Sequence, residues 1–150
     1  MLDIIKKRLE MAGFFADILE YCSGNYYDGS GDHGYYYKML YISPETWTER
    51  EYAMRAAKNA MRGAIKRDYI IETIPASKAF HIVTKADRAA ADQASEEGRI
   101  FSEFYWTYLH DYAPHTPDGR LIIDPFNLHN RRALEAGKRA VKAWKEGRAA

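Results

Sequence analysis

The chain has 150 residues and a mass of 17.3 kDa, with 47% hydrophobic and 29% charged residues, enough apolar material for one substantial core and too much for global disorder. No apolar run reaches the roughly 18 to 20 residues that a membrane-spanning helix requires, and the acid-bearing start MLDIIKKRLEMAGFF is unlike a signal peptide, so a soluble cytoplasmic protein with a single domain over 1–150 is expected. The lone cysteine, Cys22, excludes an internal disulfide, and a net charge of +1 leaves any attraction to a polyanion to local clustering of charge.

Within residues 2–22, Ile5, Leu9, Ala12, Phe15, Leu19 and Cys22 recur at steps of three and four, which predicts an amphipathic N-terminal helix over 1–22. Residues 23–34 are rich in Gly, Asp, Ser and Tyr and predict a flexible loop. Its glycines, Gly24, Gly29, Gly31 and Gly34, do not lead into the GlyLysSer or GlyLysThr of a phosphate loop. Residues 35–42, YYYKMLYI, read as a short strand. SerProGlu at 43–45 opens a helix capped by Ser43 or Thr46 that continues to about Arg67. Strand-like runs at 69–74 and 79–84 flank ProAlaSerLys and predict a hairpin. A long helix follows over 85–112, with Gly98 as a point of interruption or bending. APHTPDGR is a loop, 121–123 a short strand, and Asp124 with Pro125 the start of a last helix reaching about Glu146. Residues 125–150 hold seven basic against two acidic residues, and the remainder fifteen against nineteen, so positive charge is concentrated towards the end of the chain.

The stretch 52–67 separates its residue types most cleanly. At about 100° per residue, Arg55, Lys58, Arg62 and Lys66 fall on one narrow stripe with Asn59 beside it, opposite Met54, Ala57, Met61, Ala64 and Ile65. No acid lies between Tyr52 and Arg67 to answer those cations, and uncompensated like charges three or four residues apart repel unless an outside anion meets them. Ala56, Ala60 and Gly63 keep the flanks low enough for a major groove about 12 Å wide. Arginine forks onto guanine, asparagine pairs with adenine and lysine takes phosphate or base, so the pattern points to duplex DNA.

The order of basic helix, IKRDYIIET, small loop and AFHIVTKADRAAA resembles the winged helix-turn-helix family. AMRGAIKRDYI is similar to the end of a recognition helix and the first wing strand, with Tyr69 and Ile70 at the apolar positions. HIVTKADRAAA is similar to the second wing strand and the following helix, with Thr84 as its cap. The resemblance covers about residues 43–92. It implies a mainly α fold with a small β-hairpin wing, supported by the N-terminal helix and by a helical extension over 93–150. It also implies a small transcriptional regulator acting as a homodimer, since two half-sites supply affinity that one small module lacks. Arg55, Lys58, Asn59 and Arg62 would enter the major groove, while Lys66, Arg67 and the wing-tip Lys78 would hold phosphates. The family's turn before the recognition helix would fall near Thr48 to Tyr52 of SPETWTEREYAMRAAK, where there is no Gly or Pro.

Signs of catalysis are sparse. The five histidines form no HisGluXaaXaaHis pattern, no GlyXaaSerXaaGly elbow is present, and no cofactor or metal is implied. Phe101, Tyr105, Tyr108 and Tyr112 recur at helical spacing and read as core or subunit contact. Tyr35, Tyr36 and Tyr37, beside the Gly-rich segment, offer an alternative function: a protein-binding or inhibitor module of the phage or mobile-element kind.

Overall fold

The structure is a computed structural model that describes residues 1–122 and 128–149. The elements are α1 (Leu2–Met11), β1 (Ala16–Tyr27), β2 (Asp32–Ile42), α2 (Trp47–Ala60), α3 (Ala64–Asp68), β3 (Tyr69–Thr73), β4 (Phe80–Thr84), α4 (Lys85–Tyr112) and α5 (Leu128–Ala149). The strands form one four-stranded sheet in the order β1-β2-β4-β3, with β2 and β3 both antiparallel to β4. The chain divides into two compact units, one of residues 1–22 and 36–91 and the other of residues 23–35 and 92–150.

In the first unit α1 and α2 pack on one sheet face. Ile5 and Leu9 of α1, Ala53 and Ala57 of α2, Leu40 and Ile42 of β2 and Phe80 and Ile82 of β4 are fully or almost fully buried there. The small alanine side chains let α2 lie close to that layer. Alternation then places Tyr37, Met39, Tyr41, His81 and Glu72 on the opposite face. The β3–β4 register pairs Tyr69 with Thr84 and Glu72 with His81, and β2–β4 pairs Tyr41 with His81.

In the second unit the tip of the β1–β2 hairpin, most of α4 and α5 build a core of Ile100, Phe101 and Val141, joined by Tyr26, Tyr105, Leu134 and Trp144. A smaller cluster holds Leu109, Ala113 and Ala133. Gly137 lies against the Phe101 ring, where an added Cβ would stand 2.6 Å from it. The hairpin turn is closed by Asp28, whose carboxylate accepts from the Ser30 and Gly31 amides at 2.8 and 3.0 Å and stands 2.7 Å from His33 Nε2.

The winged helix-turn-helix expectation does not hold. In place of a mainly α fold there is an α/β arrangement, and the predicted wing is no free hairpin, because β4 pairs with β2 as well as β3 and so lies inside the sheet. The expected N-terminal helix over 1–22 stops at Met11. Gly13 (φ +92°) ends it in a Schellman motif, with the Phe14 and Gly13 amides donating to the Leu9 and Glu10 carbonyls, and Ala16 begins a strand. The predicted loop over 23–34 is the paired end of β1 and β2 around a short turn. The helix expected over 43–67 is broken at residues 61–63, where Gly63 takes φ +62° and restarts the chain as the five-residue α3. Three expectations coincide with the structure: Thr46 caps α2, Thr84 Oγ1 accepts from the Asp87 amide at the start of α4, and α4 spans Lys85 to Tyr112. The interruption expected at Gly98 does not occur, since the helix continues through that residue. Leu121 forms an isolated bridge with His115. Ile123, Asp124 and Pro125, assigned from sequence to a strand end and a helix start, lie outside the described residues.

Candidate nucleic-acid interface

The cations singled out from sequence, and Asn59 beside them, all belong to the first unit. Arg55, Lys58 and Asn59 project from α2, Arg62 from the break, and Lys66 and Arg67 from α3; all six are exposed, while Lys78 in the β3–β4 loop is half-buried. The exposure of the α2 residues follows from its alanine face: with Ala53, Ala57 and Ala60 turned into the core, the helix turns 55, 58 and 59 outward.

They do not form the single stripe expected of one rod, because the break at Gly63 redirects the chain. Asn59 and Arg62 line a cleft of about 290 Å³ with Arg8, Met11, Ala12 and Ala56. Lys58 and Lys66 line another, of about 470 Å³, together with Met61, Tyr69, Ile70, Ile71 and Lys85.

The arginines are partly committed to the fold. Arg62 Nε donates to the Asn59 carbonyl at 2.7 Å and Arg8 Nη1 to the Ala60 carbonyl at 2.6 Å, so two guanidinium groups answer the orphan carbonyls and negative dipole end of α2. Arg55 lies over the Tyr52 ring at 5.8 Å, and Arg67 pairs with Asp68 at 3.5 Å.

The lysine cleft is different. Among the described residues no carboxylate lies within 4 Å of the ammonium groups of Lys58, Lys66 or Lys85. The floor between them is apolar apart from the Tyr69 phenol. Burial, then the charges of Asp87 and Asp68, push that phenol's pKa up, so it remains a hydrogen-bond donor. Three ammonium groups and one phenol around an apolar floor can bind an anion and hold its organic part against Ile70 and Met61.

Lys85 and Arg8 were not picked out from the sequence. Lys85 reaches the cleft because Thr84 pairs with Tyr69 across the hairpin, a register the sequence leaves open. Arg8 contributes through the packing of α1 beside the end of α2. The Tyr35–Tyr37 triplet is not one contact surface, since successive strand residues alternate: Tyr36 is exposed and Tyr37 buried.

A second polar group occupies the far sheet face of the same unit. Arg88 Nε and Nη2 grip Glu72 at 2.5 and 2.6 Å, and its guanidinium lies 5.9 Å from the Tyr37 ring. The His81 ring lies 5.8 Å from both Tyr21 and Tyr41. Burial lowers the His81 pKa; Glu72 opposes that shift and Arg88 adds to it.

Comparison with protein-family models, curated proteins and solved structures yields no match to this chain. Among the described residues no helix is long and apolar enough to cross a membrane, and no group of three or more His, Cys, Asp or Glu side chains is placed to hold a metal ion.

Proposed function

We propose that this protein binds nucleic acid, duplex DNA in the first instance, through phosphate contacts made by Lys58, Lys66 and Lys85, with Arg55, Arg62 and Arg67 extending the positive surface. The observation that carries the reading is the lysine cleft: three exposed ammonium groups share it with no carboxylate partner within 4 Å among the described residues. Ammonium groups held in no close ion pair displace condensed ions when they meet a phosphate backbone, which is the main source of sequence-independent affinity.

Base reading by a recognition helix is not part of this proposal, because α2 ends at Ala60 and α3 has five residues. Pairing of two copies on one duplex would multiply the phosphate contacts and compensate for the small number per chain.

The test is fluorescence anisotropy with a mixed-sequence duplex over a range of salt. The expected result is binding at low salt with log K falling linearly against log salt, and a slope shallower by about 3 in the Lys58→Ala, Lys66→Ala, Lys85→Ala triple variant. No binding at low salt, or a slope that the triple variant leaves unchanged, overturns the proposal.

A further inference from the structure

The second unit contains a cleft that the basic surface does not use. It encloses about 470 Å³ between the hairpin, α4 and α5, within the usual size of small-molecule sites. Among the described residues, five of the eight lining side chains are aromatic: Tyr26, Tyr27, Phe101, Tyr105 and Trp106.

The rings are ordered among themselves. His33, Tyr26, Phe101 and Tyr105 form a column of near-parallel planes, with centroid spacings of 4.6, 4.4 and 6.0 Å and interplanar angles of 9°, 20° and 13°. Trp106 meets Tyr105 edge-on at 5.1 Å and 83°. The column is held from both sides. Tyr26 Oη donates to Glu97 at 3.1 Å, Glu97 pairs with Lys145 at 2.6 Å, and Tyr105 Oη donates to Asn130 Oδ1 at 2.6 Å.

Tyr27 and Trp106, at 58% and 44% exposure, leave aromatic surface accessible in a cleft whose floor is already rigid. Among the described residues no charged side chain lines it, and beside the tyrosine hydroxyls the polar groups there are the Ser102 hydroxyl and the Asn130 amide. An ionised ligand would find no charged partner among these described residues. A flat, uncharged ring with hydrogen-bonding edges would stack on the aromatic walls and meet the Ser102 hydroxyl with its rim.

We infer that this cleft is a stacking site for a neutral planar heteroaromatic ring of the nucleobase class, supplied either by a free nucleoside or by an unpaired nucleotide of a single strand. The site lies in a different unit from the lysine cleft and does not depend on the phosphate-binding proposal.

Calorimetric titration of the full chain with adenosine and uridine tests it, with ribose as the ringless control and a short oligothymidine as the strand arm. Nucleoside binding is expected to be insensitive to salt and absent for ribose. Both Trp106→Ala and Tyr27→Ala, at exposed positions that the core does not need, are expected to weaken it at least about fivefold. If oligothymidine binding falls with the same two substitutions, the base comes from a strand; if only nucleosides bind, the ligand is a free small molecule. Failure of every nucleoside and of the oligonucleotide to bind, or binding that both substitutions leave intact, overturns the inference.

Discussion

Gly24 of β1 and Gly98 of α4 meet backbone to backbone: a Cβ on Gly98 would stand 3.0 Å from the Gly24 Cα, and one on Gly24 would stand 1.9 Å from the Ala94 carbonyl oxygen. Gly24 also has φ +69°, in the region that favours glycine. Gly24→Ala should therefore destabilise the protein by at least about 3 kcal/mol, overpacking and left-handed strain acting together. Gly98→Ala should cost about 1 to 2 kcal/mol, because alanine's better helix propensity offsets part of the overpacking. Gly147→Ala, with nothing within 4 Å of its Cβ, serves as the control and should be neutral or stabilising by up to about 1 kcal/mol. Urea denaturation followed by circular dichroism measures all three, and equal midpoints for Gly24→Ala and the unsubstituted chain would refute the contact.

The Arg88–Glu72 grip is two-pronged and half-buried, which distinguishes it from the exposed pairs around Arg99. Arg88→Ala is expected to cost about 1.5 to 3 kcal/mol, since it strips a charged acceptor of both hydrogen bonds. Arg88→Lys should recover less than half of the loss, an ammonium being unable to fork. Full recovery by lysine would show that charge alone matters there.

Two partly buried side chains contribute to the response to acid. The His81 pKa is held below its ordinary 6.5, chiefly by burial, so the folded state favours the neutral ring. Its contribution is fully present above about pH 6.5 and lost as pH falls through the lower folded value. Burial works against Asp28 ionising, yet hydrogen bonds from the Ser30 amide and hydroxyl, from His33 and from the Gly31 amide outweigh it and hold the carboxyl well below the usual range. That contribution is present above the ordinary value of 3.8 and fades below it. Thermal melts across pH should show two successive declines on acidification. His81→Gln should remove the upper one and Asp28→Asn should shrink the lower, in which Glu96 and Asp118 share because their carboxyls are also held below the ordinary range; a variant that leaves its decline unchanged would contradict the assignment.

Lys66→Glu separates binding from folding. The residue is exposed, so stability should change by no more than about 0.5 kcal/mol. Duplex affinity at low salt should fall about tenfold or more, as a repulsive charge replaces an attractive one in the cleft. Anisotropy and a melting curve on the same sample check both halves.

How far residue order alone reveals this molecule depends on whether a signal is local. Thr84 followed by a long helical pattern defines α4, and alternating residues around ProAlaSerLys define β3 and β4, because caps and turns act over a few residues. The strand at β1 was obscured by coincidence. Phe15, Leu19 and Cys22 continue the three- and four-residue steps of α1, yet all three are exposed, and the left-handed Gly13 between them and Leu9 was the stronger signal. The exposure of Arg55, Lys58 and Arg62 was readable from the periodicity of α2. The division of Lys58 and Arg62 between two clefts was not, since α2 ends at Ala60 before Arg62, and Lys85 joins only through strand pairing. The sheet's order likewise rests on β2 meeting β4 across the intervening α2, which no short window contains.

The boundaries between the two units fall after Cys22, Tyr35 and Ala91, inside β1, β2 and α4 rather than in linkers. Excising either unit as an uninterrupted piece is therefore impossible, and every such cut severs a strand or a helix in mid-course. Limited proteolysis at these three places should be slow, and gene truncation at any of them should yield aggregation-prone fragments with unsatisfied backbone groups instead of an autonomous half.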